Sequence, residues 1–413
     1  GTAEITISGE NTTITAKSIG GGRSKTSTGG NVKLTVNGGT LTVNDYIGGG
    51  IGGSESDEIG WAKVYIKGGS ISGRTVMQAS ATDGCVFDMS GGEVTSPISD
   101  QPGGAVYMVD SKGTATLSGG IIRNCHGTKG GAIYMTGGTF TISEGGKMEN
   151  NTASQNGAAL YLAGTGKVFV NGGNITGSSE VNKEAIYMAG GEFTMTEGTI
   201  KDFKGSKSGA VFMQDGAFTI NNGLIDSCTG TESGAIYMSG GTFGISGGTI
   251  SNSRGAKKGG AVYLGGTGTV NVSGGNIMKN NVTEFGGAIY MTGGKFTISG
   301  GNMANNTAAK NGAAVYLAGT GEVLVNGGSI TGTHDKNVEA IYMAGGVFTM
   351  NGGSIGNFIG EQCGAVNMAD GTFTMTNGTI DKCQGTGSGA IYMSGGEFEI
   401  SGGNISNCSG TNG

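Results

Sequence analysis

Residues 130–151 read GGAIYMTGGTFTISEGGKMENN, and residues 286–306 repeat the same pattern as GGAIYMTGGKFTISGGNMANN. Each copy contains three short segments in which every second residue is apolar. A Gly-Gly pair or a polar turn separates one segment from the next. Alternation with a period of two is typical of β-strands, and paired glycines are typical of tight turns. The motif therefore predicts three short strands joined by turns, with no helix.

The motif returns along residues 104–413 at a step of about 25–27 residues, a period typical of solenoids. Three strands per coil predict an all-β chain folded as a single right-handed parallel β-helix, whose coils rise by about 4.8 Å each. We interpret residues 1–103 as N-terminal coils of the same helix with longer glycine-rich turns. Residues 104–413 form the regular coils and include a six-coil block that occurs twice, as residues 131–286 and 287–413.

The composition narrows the class of protein. The chain has 413 residues, of which 91 are Gly and only 2 are Pro, and its net charge is −6. The few basic residues are spread thinly, which argues against a nucleic-acid partner. No apolar run reaches the roughly 18 residues of a membrane span, so we expect no membrane insertion. Gly1 lies inside a strand pattern with no signal peptide before it, and we therefore expect a fragment of a larger protein.

The alternation assigns Ile133 and Met135 to the core and Ala132 and Tyr134 to the outer face. The tyrosine slot is aromatic in nearly every regular coil, with one interruption at Asn367. Such a column either stiffens the sheet by contact between neighbouring strands or forms a tyrosine-rich binding face flanked by alanines. Both interpretations stay open. The predicted ligand-binding tyrosines are Tyr134, Tyr161, Tyr187, Tyr290, Tyr316 and Tyr342.

The two longest polar turns occupy equivalent places in the two blocks, at residues 177–184 and 332–339. Loops on a repeat scaffold often carry binding residues. We therefore predict that Lys183, Glu184 and Glu339 form the rim of the tyrosine face. Tolerated insertions are the alternative.

Asparagines recur at the turn after the third strand, as in Asn150-Asn151, Asn280-Asn281 and Asn305-Asn306. Stacked amide side chains at a turn can bond to one another and to the turn backbone. We expect these asparagines to be structural.

The chain has only six cysteines and two histidines, and no Cys-x-x-Cys pair occurs. The sequence therefore predicts no metal site and no cofactor. Cys383 and Cys408 share one slot in successive coils, so a disulfide is geometrically conceivable, although buried free thiols are the simpler interpretation. The acidic loop with Glu55, Asp57 and Glu58 carries carboxylates that could bind calcium, but their spacing matches no known ligand pattern. Calcium binding by this loop therefore stays open.

Many parallel β-helices are polysaccharide lyases or hydrolases, which need paired carboxylates, or a base and Ca²⁺, in a groove on one sheet. The outward slots of this chain carry Ala, Tyr, Thr and mixed residues instead. No Ser/His/Asp or Cys/His arrangement follows the repeat geometry. We therefore predict that the chain is not an enzyme.

Two signatures resemble the repeats of the polymorphic membrane protein adhesins and related bacterial adhesin-like β-helix proteins. Gly130-Gly131-Ala132-Ile133 and Gly286-Gly287-Ala288-Ile289 carry the first, and Ile277-Met278-Lys279-Asn280 carries a version of the second, an apolar residue followed three positions later by Asn. The resemblance covers residues 104–413, and Ile or Met stands where those adhesins prefer Phe. It implies display at a bacterial cell surface and brings no site residues with it.

These observations together predict an extracellular adhesin or binding module on a bacterial surface. Its expected partner is a host glycan or protein, such as a mucosal glycoprotein or an immunoglobulin, and the module is expected to be a monomer. A passive stalk that displays another domain is the first alternative, and a carbohydrate-active enzyme is the second.

Overall fold

The computed structural model describes residues 1–21, 29–49, 59–78, 83–97, 100–178, 183–333 and 338–411. The described residues form two compact units, Gly1–Phe203 and Lys204–Gly413. Every regular element among them is a β-strand, and none is a helix. The all-β class predicted from the alternating pattern is therefore confirmed.

The strands of the first unit are short and numerous. They are β1 Thr2–Ile7, β2 Thr13–Ala16, β3 Ile19–Gly20, β4 Asn31–Val36, β5 Thr40–Val43, β6 Ile47–Gly48, β7 Ala62–Ile66, β8 Ser70–Ser72, β9 Thr75–Met77, β10 Val86–Ser96, β11 Val106–Met108, β12 Thr114–Lys129, β13 Ile133–Met135, β14 Thr139–Ser143, β15 Lys147–Glu149, β16 Thr152–Asn156, β17 Leu160–Leu162, β18 Lys167–Thr176 and β19 Ile186–Lys201.

The second unit is built in the same way. Its strands are β20 Val211–Ile220, β21 Leu224–Asp226, β22 Thr229–Gly230, β23 Ile236–Met238, β24 Thr242–Ile245, β25 Thr249–Ser251, β26 Arg254–Gly255, β27 Val262–Leu264, β28 Thr269–Val272, β29 Asn276–Met278, β30 Asn281–Val282, β31 Ile289–Met291, β32 Lys295–Ile298, β33 Asn302–Ala304, β34 Thr307–Ala308, β35 Val315–Leu317, β36 Glu322–Val325, β37 Ser329–Thr331, β38 Ile341–Gly356, β39 Val366–Asp381, β40 Gln384–Gly385, β41 Ile391–Met393, β42 Glu397–Ile400, β43 Asn404–Ser406 and β44 Ser409–Gly410.

Each strand pairs in parallel with the equivalent strand of the next coil. In the first unit, β11, β13 and β17 pair so that Tyr107, Tyr134 and Tyr161 stand in register. In the second unit, β27, β31 and β35 pair in the same way. Because the partner of every strand lies one coil along the chain, each unit is a parallel β-solenoid. The predicted parallel β-helix is confirmed on this point.

The N-terminal coils follow the same rule. Strands β1, β4 and β7 pair in parallel, and β10 continues the series. The described strands among residues 1–103 therefore belong to coils of the first unit.

Apolar residues of similar size stack from coil to coil inside each unit. Ile133, Met135, Phe140 and Ile142 are completely buried, and the equivalent apolar residues of the coils between the first and the last are buried too, whereas Met393 and Ile400 of the last coil are exposed. Each buried side chain of this size contributes about 1.5–3 kcal/mol relative to an exposed one. The core positions predicted from the alternation are confirmed.

The alanine before the first strand lies in the core, which corrects the prediction that it shares the outer face with tyrosine. Ala132 is fully buried, whereas Tyr134 is half-buried. Strand β13 begins only at Ile133, and the chain turns just before it, at Gly130 with a φ of 65°. A face assignment by alternation holds only within a strand, so it fails for a residue in the preceding corner.

The turn after the third strand explains the recurring asparagines. Asn150, Asn252, Asn305 and their equivalents have φ angles between 51° and 63°, in the left-handed region that Asn tolerates better than most residues. The next residue forms a buried ladder: Asn280 Nδ2 donates to Ile250 O at 3.1 Å, and Asn306 Oδ1 accepts from Asn280 N at 3.0 Å. The structural role predicted for these asparagines is confirmed.

Candidate functional site

The tyrosines predicted as ligand-binding residues form stacked columns. In the first unit, the ring centroids of Tyr107 and Tyr134 are 5.2 Å apart, and those of Tyr134 and Tyr161 are 5.1 Å apart. Tyr187 follows at 5.1 Å from Tyr161. The angles between neighbouring ring planes are 7°, 12° and 8°. The parallel register of the strands sets this spacing, because equivalent residues of adjacent strands lie about 4.8 Å apart.

The second unit has its own column. It begins with Phe212 and Tyr237 at 4.9 Å and continues through Tyr263. The remaining pairs are Tyr263–Tyr290 at 5.4 Å, Tyr290–Tyr316 at 5.0 Å and Tyr316–Tyr342 at 5.1 Å. The strand of the next coil places Asn367 opposite Tyr342, so the column is interrupted there. Stacked rings of this kind add about 0.5–1.5 kcal/mol per pair.

Stacking leaves only the edges of these rings accessible. Tyr161 and Tyr290 each keep 8% of their surface exposed, and the other tyrosines of the two columns are half-buried. Burial raises the pKa of the phenol groups of Tyr134, Tyr161 and Tyr316 above its ordinary value. The surface offered to a partner is therefore a ribbon of ring edges and hydroxyl groups, and the flat ring faces inside each column are already in contact with neighbours.

The tyrosine slot is assigned to the outer face, but Asn367, which fills this slot in one coil, is buried. Only 7% of its surface is exposed, so the slot is largely covered at this point. Its Nδ2 donates to Gln362 Oε1 at 3.3 Å, which satisfies the buried amide.

The positively charged side chain of Arg74 lies at one end of the column of the first unit. The guanidinium of Arg74 lies 4.8 Å from the centroid of the Tyr107 ring, and Val76 stands in register where another tyrosine would continue the stack. Arg74 also donates to Pro102 O at 2.7 Å and to Gly103 O at 3.0 Å. Burial lowers the pKa of Arg74, and the nearby Tyr107, Asp45 and Asp100 oppose that effect.

Charged residues flank the column of the second unit. Their order is Lys207, Glu232, Lys258, Glu284 and Lys310, one for each coil, and we call them the charged row. The ammonium of Lys258 lies 5.5 Å from the Tyr263 ring and 5.4 Å from the Tyr290 ring. Backbone bonds hold two neighbouring pairs of the row in register, since Glu232 N donates to Lys207 O at 3.0 Å and Lys310 N donates to Glu284 O at 2.9 Å. Lys258 lies one position further along its coil, where it forms a bridge with Phe285.

Two ion pairs lie within the charged row. Lys258 Nζ is 3.4 Å from Glu232 Oε2, and Lys310 Nζ is 3.5 Å from Glu284 Oε1. The alternation of sign that makes these pairs was not predicted from the sequence. The sequence nevertheless contains this pattern, because each charged residue stands at a nearly constant number of residues before an Ala-aliphatic-aromatic segment.

Glu184 and Glu339 do not lie at an exposed rim, which corrects the placement predicted for them. Both are buried, with 3% and 4% of their surface exposed. Glu184 Oε1 accepts a hydrogen bond from Gly157 N at 3.0 Å, and Glu339 Oε1 accepts one from Gly312 N at 3.1 Å.

The physical reason for this placement lies in the backbone ladder. At the equivalent point of other coils, a carbonyl of the following coil accepts the glycine N–H: Gly130 N donates to Asn156 O at 2.9 Å, and Gly286 N donates to Asn311 O at 3.0 Å. Glu184 and Glu339 follow the longest polar turns, and a carboxylate oxygen takes the place of that carbonyl. The sequence contained an indication of this burial, because both glutamates occupy a position that is Gly or Ala in the other regular coils.

Burial raises the pKa of Glu339 to about 7. Hydrogen bonds from its own N–H and from Gly312 N–H oppose that effect, and the neighbouring Glu361 adds to it. Lys183, the third residue predicted for the rim, is half-buried. Turn residues 179–182 and 334–337 lie outside the described residues, and so does the acidic loop with Glu55, Asp57 and Glu58.

All six cysteines are free thiols, so Cys383 and Cys408 form no disulfide. Five of the six are buried, and only Cys408 is partly exposed. Burial raises the pKa of Cys383 to about 12, which keeps it protonated at neutral pH. Within the described ranges, no three His, Cys, Asp or Glu side chains lie close enough together to hold a metal ion.

A cleft of about 450 Å³ opens on the second unit, beyond the end of the charged row. Ala308 and Ala309 line one side, and Ile359, Gly360 and Glu361 line the other. Val338 also reaches it, and the cleft extends over later coils through Gln384, Gly385, Thr386 and Thr411. This volume falls within the range of about 300–1,000 Å³ that is typical of ligand sites. No pattern in the sequence predicts this cleft.

A comparison with known proteins finds no matching family, no matching curated protein and no matching solved structure. The resemblance to adhesin repeats therefore stays a prediction. No helix among the described residues is long and apolar enough to cross a membrane.

Proposed function

We propose that this chain is an adhesin-type recognition module displayed at a bacterial cell surface, and that its partner is a protein. The contact surface consists of the tyrosine edges of the second unit together with the charged row. The module acts by binding and carries out no reaction.

The observation that carries the proposal is the placement of Lys258 between two tyrosine edges and an acidic neighbour. Its ammonium lies near the rings of Tyr263 and Tyr290 while pairing with Glu232. Ordered tyrosines next to charges of both signs offer apolar contact, hydroxyl groups and ion pairs on one rigid surface. Tyrosine is enriched in protein recognition surfaces because it adds contact area at a low entropic cost.

The stacking geometry favours a protein partner over a glycan. A sugar ring that binds an aromatic side chain packs its C–H groups against the flat ring face, where the π-electron density lies. The faces between Tyr237 and Tyr342 are occupied by neighbouring rings at 4.6–5.4 Å. A protein surface needs only the exposed edges and the charges beside them.

The test is a binding screen of the full chain against a panel of mucosal proteins and immunoglobulins, with a glycan array in parallel. The informative variant is Tyr263→Phe with Tyr316→Phe, because phenylalanine keeps the stack and removes only the hydroxyl groups. Tyr65→Phe is the matched control, since Tyr65 on β7 of the first unit stands in register with Thr35 and Asp88 rather than with a tyrosine of a column. Protein binding that weakens in the double variant and persists in the control supports the proposal. Binding to glycans alone contradicts it.

A passive stalk remains the second candidate. The same continuous stacking favours it, because rings that contact both neighbours stiffen a solenoid without any ligand. A chain that binds nothing in either screen, yet remains folded and resists proteolysis, would establish the stalk.

A further inference from the structure

The charged row of the second unit alternates in sign from coil to coil. Each of its members precedes the first strand of its coil, in the order Lys207, Glu232, Lys258, Glu284 and Lys310. Equivalent positions of adjacent coils lie about 4.8 Å apart, so charges of one sign recur at about 9.6 Å. A partner that meets several of these charges at once must therefore alternate in sign at the same interval.

Few protein surfaces have this interval. An α-helix repeats a face about every 5.4 Å, so it falls out of step with the row by about 2.4 Å over four coil spacings. Side chains on one face of an extended strand lie about 6.8 Å apart, which is farther still from the interval of the row. A parallel β-solenoid has the interval built into its coil spacing, and the chain itself presents such a row. The spacing therefore favours a second copy of this chain as the partner.

Symmetry determines how two such rows face each other. A two-fold axis perpendicular to the row, placed midway between two coils, turns the second row end for end and sets each charge opposite one of the other sign. A two-fold axis along the row sets every residue opposite its own copy, where like charges repel. The alternation of sign therefore selects the antiparallel arrangement.

The side chains of the row are open to such a contact. Those of Glu232 and Lys258 are 31% and 33% exposed, and those of Glu284 and Lys310 are 35% and 54% exposed. The ammonium of Lys207 lies against two aromatic rings and takes part in no ion pair within the described ranges. A carboxylate has about four acceptor positions, so each glutamate can bind a second lysine beside the one it already contacts.

We propose that the charged row binds the charged row of a second copy of this chain in the antiparallel arrangement, with the two-fold axis between the coils of Glu232 and Lys258. Glu232 of each copy then faces Lys258 of the other, and Lys207 faces Glu284. This register is favoured because it supplies Lys207 with an acidic partner. The inference rests on the proposed function, since it uses the same recognition surface and names its partner.

The tyrosine edges beside the row take part in the same contact. The two-fold axis also sets the aromatic column opposite its copy, so that Tyr237 faces Tyr263 and adds ring edges and hydroxyl groups between the charges. A row about 19 Å long and one or two side chains wide buries less than the roughly 1,200 Å² of a stable complex. The chain is therefore a monomer when dilute, and copies displayed at high density on two surfaces hold together through many weak contacts.

The first experiment is sedimentation velocity of the full chain at concentrations up to about 1 mM. We expect a monomer–dimer equilibrium whose dissociation constant rises several-fold when the salt concentration is raised from about 0.05 M to about 0.5 M, because salt screens exposed charge pairs. An equilibrium that does not respond to salt overturns the inference.

Charge reversal locates the contact. Glu232→Lys with Glu284→Lys makes the row entirely basic, and we expect this variant to self-associate at least about tenfold more weakly. Glu322→Lys with Glu397→Lys is the matched control, because it changes the net charge equally at two exposed residues on β36 and β42. We expect the control to associate as the parent chain does.

A complementary variant tests whether the charges themselves are responsible. The row becomes entirely acidic in the triple variant Lys207→Glu, Lys258→Glu and Lys310→Glu. Neither the basic nor the acidic variant should self-associate, and an equimolar mixture of the two should form a heterodimer. Circular dichroism verifies that each variant is folded, so a folded pair that forms no heterodimer overturns the inference.

Cross-linking with a carbodiimide reports the register, because this reagent joins an amine to a carboxylate only when the two are in contact. Three coil spacings, about 14 Å, separate Lys207 from Glu284 within one chain, so an amide bond between them forms only across two copies. Lys258 Nζ and Glu232 Oε2, which lie 3.4 Å apart in one chain, are the internal control. We expect mass spectrometry to find the Lys207–Glu284 cross-link in the covalent dimer, and a dimer without it overturns the inference.

Two further outcomes would place the contact elsewhere and overturn the inference. One is self-association that the entirely basic variant retains, and the other is self-association that Ile400→Lys abolishes, since Ile400 is an exposed apolar residue of the last coil. A chain that stays monomeric at every concentration yet binds a protein of the screening panel contradicts this inference alone. A chain that neither self-associates nor binds any protein contradicts the proposed function as well.

Discussion

Glu339 Oε1 accepts a hydrogen bond from the backbone N–H of Gly312 at 3.1 Å, one coil away along the solenoid. The pair Glu184 and Gly157 makes the same contact at 3.0 Å in the first unit. In both places a carboxylate replaces a backbone carbonyl where a long turn interrupts the ladder. A buried N–H left without an acceptor costs about 1–3 kcal/mol, which explains why a glutamate is placed in such a confined slot.

The first prediction concerns the pH dependence of stability. The pKa of Glu339 is about 7 in the folded chain and has an ordinary value of 4.5. The folded state therefore binds the proton more tightly than the unfolded state, and stability is fully present below pH 4.5 and falls as the pH rises through 7. We expect a loss of roughly 3 kcal/mol from this group between pH 4 and pH 8. Urea denaturation across that range measures it.

Glu339→Gln tests the assignment of that effect. Glutamine keeps a side-chain oxygen for Gly312 N–H and cannot ionise, so the loss of stability between pH 4 and pH 8 should shrink. Glu322→Gln is the control, because Glu322 is exposed and forms a surface ion pair with Lys295. If both variants lose stability with pH as the parent chain does, Glu339 is not the titrating group.

The second prediction concerns the aromatic column of the second unit. Tyr263 stacks on both Tyr237 and Tyr290, whereas Tyr342 stacks on Tyr316 and faces Asn367 on its other side. We expect Tyr263→Ser to destabilise the chain more than Tyr342→Ser, by about 0.5–1.5 kcal/mol for the additional ring pair. Thermal unfolding of the two variants compares them. Equal destabilisation would mean that ring stacking contributes little beyond burial.

The third prediction concerns the left-handed turn after the third strand. Lys279 has a φ of 56° there, while Asn252 and Asn305 fill the same position in the coils on either side. A left-handed conformation costs most residues about 1–2 kcal/mol, and Asn tolerates it better. We expect Lys279→Asn to stabilise the chain by about 0.5–1 kcal/mol.

Lys257→Asn is the matched control for that change, since Lys257 is exposed and does not have a positive φ. The measurement is the midpoint of urea unfolding for each variant. A similar gain in both variants would attribute the effect to the loss of a lysine charge rather than to the turn.

The fourth prediction concerns thiol reactivity. Cys408 is the one partly exposed cysteine, and burial raises the pKa of Cys383 to about 12. Because the thiolate is the reactive form, a disulfide reagent should modify Cys408 rapidly and the other cysteines only on unfolding. Cys408→Ser should remove the fast phase. A fast phase of more than one thiol in the folded chain would contradict the burial of the other five.

The repeating pattern was sufficient to predict the coils and their core. Ile133, Met135, Phe140 and Ile142 recur with strict alternation, and only a buried strand face requires that pattern. The asparagine turns were equally accessible, because Asn at a fixed place after a strand is typical of a left-handed corner. Both features depend on local spacing, which the sequence contains in full.

The strand class, the repeat period and the stacking of like residues all follow from the spacing of residues along the chain. The inward position of Ala132 and the buried acceptor roles of Glu184 and Glu339 become visible only in the folded coils. These features depend on which backbone groups of one coil meet those of the next. A turn of unusual length changes that pairing, and alternation within a single strand carries no information about it.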